Sequence, residues 1–457
     1  MSVVAELIRN VLETPFERFA PDEVDRARVK LIDVIGCIIG GANAPGCSML
    51  IDLVREWGGL QEGMILAHGI KVPMHNAALV NSVMARSYDF EPTGPLVDGK
   101  STPAHLSGTT VPTAITVADQ KNASGKDLLT ALIVGDDIAS RIIAASNLDV
   151  DSGFDSTGTA NAFGAAAIAG RLLGLNEQQM LNAFGIVLNQ FAGTFQNIFD
   201  AAHTFKLPQG LASQAGVFSV KLAQKGFTGV RDPLLSKYGY FALYCKSYQL
   251  DMLTKNLGKQ YYMDNTCKPY PCCRSNHAAI ESVLKILESH AVSAEAIDEI
   301  IVDITPRARD FAVGQPFKIR EVPQIDAAFS IQYNVANALL RRGTKLEHFT
   351  EENILDNRIA DLVRKIRLTA TTPPETPLGA GVTVKMKNGD EYHARVDMPR
   401  GHGVLTPLSY EEKKAKFFDN VRFSSMVPVS KAEEAVELLE HIEEVDNVSA
   451  IFRLLVA

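Results

Sequence analysis

The chain has 457 residues, enough for about two domains with cores of their own, which excludes a small scaffold stapled by disulfides or zinc. Apolar residues make up 46% and charged residues 21%, which excludes a largely disordered chain. Lys plus Arg is 45 against 53 Asp plus Glu, a formal charge of -8, and no basic tract stands out. Nucleic acid is therefore not an expected partner, and any anionic ligand must be held by a few local cations or helix N-termini.

The cysteines Cys37, Cys47, Cys245, Cys267, Cys272 and Cys273 are too sparse for a disulfide framework, so a reducing cytoplasm is the expected compartment. Glu6, Arg9 and Glu13 interrupt the apolar pattern between Met1 and Phe16, which does not read as a signal peptide. Asp33 and Arg171 break the best apolar runs short of the roughly 18 residues that a membrane span needs, so no membrane is expected.

In chain order, the sequence to about residue 265 reads as helix after helix. Ala162, Gly164, Ala165, Ala166, Ala167, Ala169 and Gly170 would let neighbouring helices approach closely. Within this part, Tyr88 to Gly108 reads as an irregular segment between helices that places Asp89, Thr93 and His105 in one loop. Such loops host general acid/base groups, although Pro92, Gly94, Pro95 and Gly99 equally suit a plain surface loop. From His203 to Gly216, Lys206 precedes a Pro-Gln-Gly turn into an Ala-rich helix, which would make an anion site; the alternative is a solvated lysine.

After Cys267 the period changes. The run from Cys267 to His277 crowds Lys268, Arg274 and His277 together, and suits capture of a carboxylate near a domain boundary. Its cysteines do not read as zinc ligands, because two are adjacent and there is no CxxC spacing. Ile300 to Ile304 alternates like a strand, and Ile325 to Arg342 reads as a helix closed by Gly343. Val382 to Met386, Asn388-Gly389 and Tyr392 to Val396 read as a hairpin with a type I′ turn. Helical period returns in Tyr410 to Phe418 and Lys431 to Glu443. No GxxxxGK[ST], post-strand GxGxxG, HExxH or GxSxG motif is present, which leaves a cofactor-free reaction as the expectation.

Seven stretches, taken in order, resemble the MmgE/PrpD family, whose members dehydrate, decarboxylate or epimerise small carboxylic acids. They are DVIGCIIGGANAPG near residue 33, HNAALVNSVMARSYDF at 75–90, TGTANAFGAAAIAGRLLGLN at 157–176 and KLPQGLASQAGVFSVKLAQKGFTG at 206–229. The others are KPYPCCRSNHAAIES at 268–282, IDAAFSIQYNVANALL at 325–340 and PLSYEEKKAKF at 407–417. The resemblance implies a mainly α protein and a homodimer. Residues 1–265 plus 406–457 would form a large helical domain, and 266–405 an inserted α+β lid, with the active site between them.

It further implies proton removal next to a carboxylate without cofactor or metal, by dehydration first, then decarboxylation or epimerisation. Carried over by position, His105 and His277 would be the acid/base groups, with Asp89 orienting an imidazole. Lys206, Lys268 and Arg274 would hold carboxylates, with Thr93 and Tyr333 in the binding site. The family's Asp-Phe-Asp-Asp-Thr-His run is remodelled here to Asp89-Phe90-Glu91-Pro92-Thr93-Gly94. Asp155 stands where several relatives carry histidine, which should weaken binding of a third carboxylate. The expected substrate is then not 2-methylcitrate but a smaller or less charged acid than a tricarboxylate. The opposing class is a dimeric carboxylate-binding protein that has kept the fold and lost the chemistry.

Overall fold

The structure, a computed structural model, describes residues 2–148 and 153–457. The chain is mainly α. Helix α1 (Pro21–Gly40) starts with Pro21, Asp22 and Glu23 in its first turn, where a missing N–H and negative charge are both favourable. Glu23 also accepts from the Ala20 N–H at 2.9 Å. Helix α2 (Met74–Arg86) is buried around nearly its whole circumference, which explains why its apolar pattern shows little helical period. A five-residue strand, β1 (Thr93–Val97), follows before α3 (Ser107–Lys121).

Helices α4 (Gly125–Ala145), α5 (Ala160–Leu172) and α6 (Leu207–Gln224) complete the packed centre. The small residues of α5 sit where backbones nearly touch. A Cβ added at Gly164 would lie 2.9 Å from the Gly135 carbonyl, and one at Gly216 would lie 2.5 Å from the Ala165 Cβ. Larger side chains there would force the helices apart.

Short strand pairs interrupt the helical part. Gly63–Ile65 pairs with Ile70–Val72, and Ser146–Leu148 pairs with Cys245–Tyr248. Strand β1 pairs antiparallel with β2 (Asp264–Thr266), setting Thr93 opposite Thr266 and Pro95 opposite Asp264. These pairings satisfy main-chain groups where the chain crosses between helices. The β1–β2 pair also brings the stretch after Thr266 alongside the 89–93 loop.

Helix α7 (His277–Ser289) leads into β3 (Ile297–Asp303), whose Ile297, Ile300 and Val302 are fully buried. The expected helix from Ile325 is two helices: Pro323–Ala328, then α8 (Ile331–Arg341). Ser330 is extended and caps the second helix, its Oγ accepting from the Tyr333 N–H at 3.1 Å. The carbonyl of Ala328 freed by this break accepts from Asn276 Nδ2 at 2.9 Å and from the Cys273 N–H at 3.0 Å. The helix closes with Arg342, not Gly343, in the left-handed region at φ +54.

Strands β4 (Ile366–Thr369), β5 (Ala380–Met386) and β6 (Glu391–Val396) complete a sheet of order β6–β5–β3–β4. Only β3–β4 is parallel. The hairpin loop has three residues, not the two of a type I′ turn. Met386 N–H meets Asp390 O at 2.8 Å, Gly389 N–H meets Met386 O at 2.9 Å, and Gly389 stands at φ +93 while Asn388 keeps negative φ. The Asn388 side chain accepts from the Asp390 N–H at 3.1 Å, a local bond that favours this form.

Helix α9 (Tyr410–Ser424) begins with a Ser409/Glu412 capping box and packs on α1, so the last part of the chain returns to the first. Among the described residues, no helix is long and apolar enough to cross a membrane.

Candidate active site

Helix α2 ends at Arg86, and the next five residues turn back on it. The Asp89 N–H bonds the Arg86 carbonyl at 3.0 Å, and Asp89 takes φ +49, a conformation that short acidic side chains tolerate better than most. This turn puts two carboxylates on one guanidinium. Arg86 Nη1 contacts Asp89 Oδ1 and lies 2.7 Å from Glu91 Oε1, and all three side chains are buried. Lys268, delivered by the β1–β2 pairing, lies 2.9 Å from Asp89 Oδ2 and donates to the Asp89 carbonyl at 2.5 Å.

His105 lies at the entry to α3, with Nδ1 2.8 Å from Glu91 Oε1 and 3.0 Å from Arg86 Nη1. Its main chain is gripped on both sides. The His105 carbonyl accepts from Asn161 Nδ2 at 2.6 Å and Gln209 Nε2 at 3.1 Å. The next two N–H groups donate to Asp264 Oδ2 at 3.0 and 2.7 Å. The ring remains 21% exposed beside fully buried Glu91, and its Nε2 has no partner among the described residues.

Burial pushes the Glu91 carboxyl up, but Arg86 and the His105 hydrogen bond bring it well below the usual carboxylate range. Burial, Arg86 and Lys268 together hold His105 below the usual imidazole value, against the opposing pull of Glu91. The imidazole is therefore neutral near pH 7, ready to accept a proton.

Lys206 reaches the same turn from the start of α6. Its Nζ donates to Pro45 O at 2.6 Å and Ser87 Oγ at 3.2 Å and lies 3.7 Å from Cys47 Sγ. Among the described residues it has no carboxylate partner, and burial lowers its pKa. Thr93 donates to the Ala104 carbonyl at 2.6 Å, closing the loop that carries His105. Asp155 is buried, accepts from the Thr157 N–H at 2.9 Å, and is close enough for its charge to act on Arg86.

The remaining candidates are engaged elsewhere. His277 is fully buried, with Nδ1 3.0 Å from Arg274 Nη1 and Nε2 3.2 Å from the Cys272 carbonyl, so neither nitrogen is free. Arg274 donates to Pro399 O at 2.7 Å and Arg400 O at 2.6 Å, holding the exit from the sheet. The Tyr333 hydroxyl donates to the His348 carbonyl, with the ring packed between Phe317 and Phe349. Sequence reasoning missed Arg86 and Glu91 as site residues. The available signal was an arginine ending an otherwise uncharged helix, followed at once by two acids.

Asp89, Glu91 and His105 offer donor atoms within 4.8 Å of one another, a spacing that suits a cation. The Arg86 guanidinium and Lys268 ammonium already supply positive charge to those carboxylates, and a divalent ion would have to sit against the guanidinium. A cavity of about 410 Å³ borders the turn at Tyr88, with Pro45, His203 and Gln324 also in its wall.

The MmgE/PrpD N-terminal domain model matches residues 5–253, and the MmgE/PrpD C-terminal domain model matches residues 270–444. The chain belongs to the MmgE/PrpD family, and is an enzyme of that kind. It is similar to a cis-aconitate decarboxylase of Aspergillus terreus, 22% identical over 480 residues that cover 99% of this chain and 96% of that protein. It is also similar to a 2-methylcitrate dehydratase of Cupriavidus necator, 25% identical over 408 residues that cover 83% of this chain and 81% of that protein.

Proposed function

We propose that this chain is a cofactor-independent lyase that removes a proton next to a carboxylate of a small di- or tricarboxylic acid, with dehydration as the leading reaction. One observation carries the reading. Among the described residues, a neutral imidazole with a free Nε2 and a buried ammonium without a carboxylate partner flank the same 86–91 turn.

A buried, uncompensated cation favours an anionic ligand strongly, because its field is weakly screened there. Lys206 would take a substrate carboxylate and stabilise the enediolate that forms as the α-proton leaves. His105 would accept that proton on Nε2 and return it to the departing hydroxyl. Arg86 and Lys268 balance Asp89 and Glu91 and keep the turn rigid. Asp155 adds negative charge near Arg86, which supports a smaller or less charged acid than a tricarboxylate.

Decarboxylation is the second reading, supported by likeness to a cis-aconitate decarboxylase over almost the whole chain. It uses the same elements, with a C–C bond breaking to release carbon dioxide and leave a carbanion on the substrate; the proton that quenches it comes from solvent, relayed through His105 Nε2. Epimerisation would return the proton to the opposite face.

Proton NMR in deuterium oxide tests the reading, using chelator-treated protein and a panel of hydroxy, amino and unsaturated di- and tricarboxylic acids. Loss or exchange of an α-proton, or release of carbon dioxide, with one of them is the expected result. Binding of an acid without any chemistry would instead support a carboxylate-binding protein.

A further inference from the structure

We propose that Glu91, rather than Asp89, is the positioning residue of His105: it keeps the proton on Nδ1, so that Nε2 presents its lone pair. The inference rests on the proposed function only in taking His105 as the base.

Two tautomers compete at Nδ1. With a proton there, Nδ1 donates to Glu91 Oε1 at 2.8 Å; without one, it could accept from Arg86 Nη1 at 3.0 Å. A guanidinium can only donate, so the second contact needs a hydrogen of Nη1. Nη1 has two, and both are engaged more closely, one by Asp89 Oδ1 and one by Glu91 Oε1 at 2.7 Å. None is left for the imidazole. Asp89 does not orient the ring: among the described residues its carboxylate contacts Arg86 and Lys268, and it makes no contact with the imidazole.

The other groups around the ring agree. Arg86 and Lys268 oppose a second proton on it, and Glu91 is the carboxylate in contact with it. Asp155 acts on Arg86, and Asp264 engages the two N–H groups beyond His105, not its ring. A base held by a carboxylate on its far nitrogen loses rate when the tautomer is wrong, even if the fold is intact.

The test uses the full chain labelled with 15N-histidine, free of added acid, with His105→Gln to assign the signal. Long-range proton–nitrogen spectra should report Nδ1–H for His105 in the wild type. Glu91→Met removes the acceptor and frees an Arg86 hydrogen, so the proton should move to Nε2 and kcat should fall by about 10²–10⁴-fold.

Glu91→Gln keeps an acceptor oxygen but loses the charge that raises the imidazole pKa. It should retain Nδ1–H, while the limb of kcat/KM that requires a deprotonated base moves to lower pH. An Nε2–H signal in the wild type would overturn the proposal, and so would a folded Glu91→Met variant with unchanged tautomer. So too would a Glu91→Gln profile that does not move. The spectra need no substrate, so they separate a wrong assignment of Glu91 from a wrong reaction.

Discussion

Lys416, on the returning helix α9, donates to the main-chain carbonyl of Phe90 at 2.7 Å, the residue between Asp89 and Glu91. The same ammonium lies 2.7 Å from Asp33 Oδ1 on α1, and both side chains are buried. The last part of the chain thus holds the turn that carries the candidate site.

Lys416→Met should therefore destabilise by about 3–5 kcal/mol, because it leaves Asp33 charged and buried without its partner. Urea unfolding measures this. The double variant Asp33→Asn/Lys416→Met should recover part of the loss, since no lone charge then remains; a double variant as unstable as the single one would refute the pairing.

Tyr333→Phe separates a packing role from a binding role. Its hydroxyl is committed to the His348 carbonyl, so its loss leaves a buried acceptor unpaired and should cost about 1–3 kcal/mol of stability. KM for the acid that the enzyme turns over should be unchanged. A raised KM with unchanged stability would return Tyr333 to the substrate.

His277 sets a pH dependence. Burial, Arg274 and Lys268 depress its pKa well below the usual imidazole value. The unfolded chain therefore binds a proton below about pH 6.5 that the folded chain refuses. The stability it contributes is complete above that pH and falls on acidification, by up to about 1.4 kcal/mol per pH unit. Asp264, raised to about 7 by burial, works in the opposite direction between about pH 4 and 7. His277→Gln should lose less stability than the wild type between pH 6.5 and 5, as read from urea midpoints. An unchanged slope would mean that this ring is protonated in the folded state.

Asp155→Asn removes a negative charge that acts on Arg86. The ratio of kcat/KM for a tricarboxylate to that for a dicarboxylate should rise by about tenfold, the effect of about 1.4 kcal/mol. Steady-state kinetics on one pair of acids decides it, and an unchanged ratio removes Asp155 from substrate selection.

The helical bulk, the strand at Ile300 and the hairpin around Asn388-Gly389 were legible because apolar periodicity and turn chemistry are local. The break before Ser330 was signalled by its N-capping side chain, but the apolar period runs through it and masks the stop. Strand β4 was not legible, since four residues paired in parallel to β3 carry little pattern of their own. In the candidate site, His105, Asp89, Lys206 and Lys268 stood out as residue types in suggestive segments. Their division of labour was not legible, because the partners of Arg86 and Glu91 depend on a left-handed turn at Asp89 and on a strand pairing between residues far apart in the chain, Thr93 with Thr266 among them. His277 and Arg274 share their segment with Lys268, yet the helix start at His277 turns them toward main-chain carbonyls.

In the proposed chemistry His105 is the proton-transfer group of a carboxylate enzyme. Its most direct test compares wild type, His105→Ala and Tyr333→Phe for α-proton exchange into deuterium oxide, on whichever acid of the panel the wild type exchanges. Exchange abolished in folded His105→Ala and retained in Tyr333→Phe is the predicted result. Exchange that persists at the wild-type rate without the His105 imidazole would rule His105 out as the proton-transfer group.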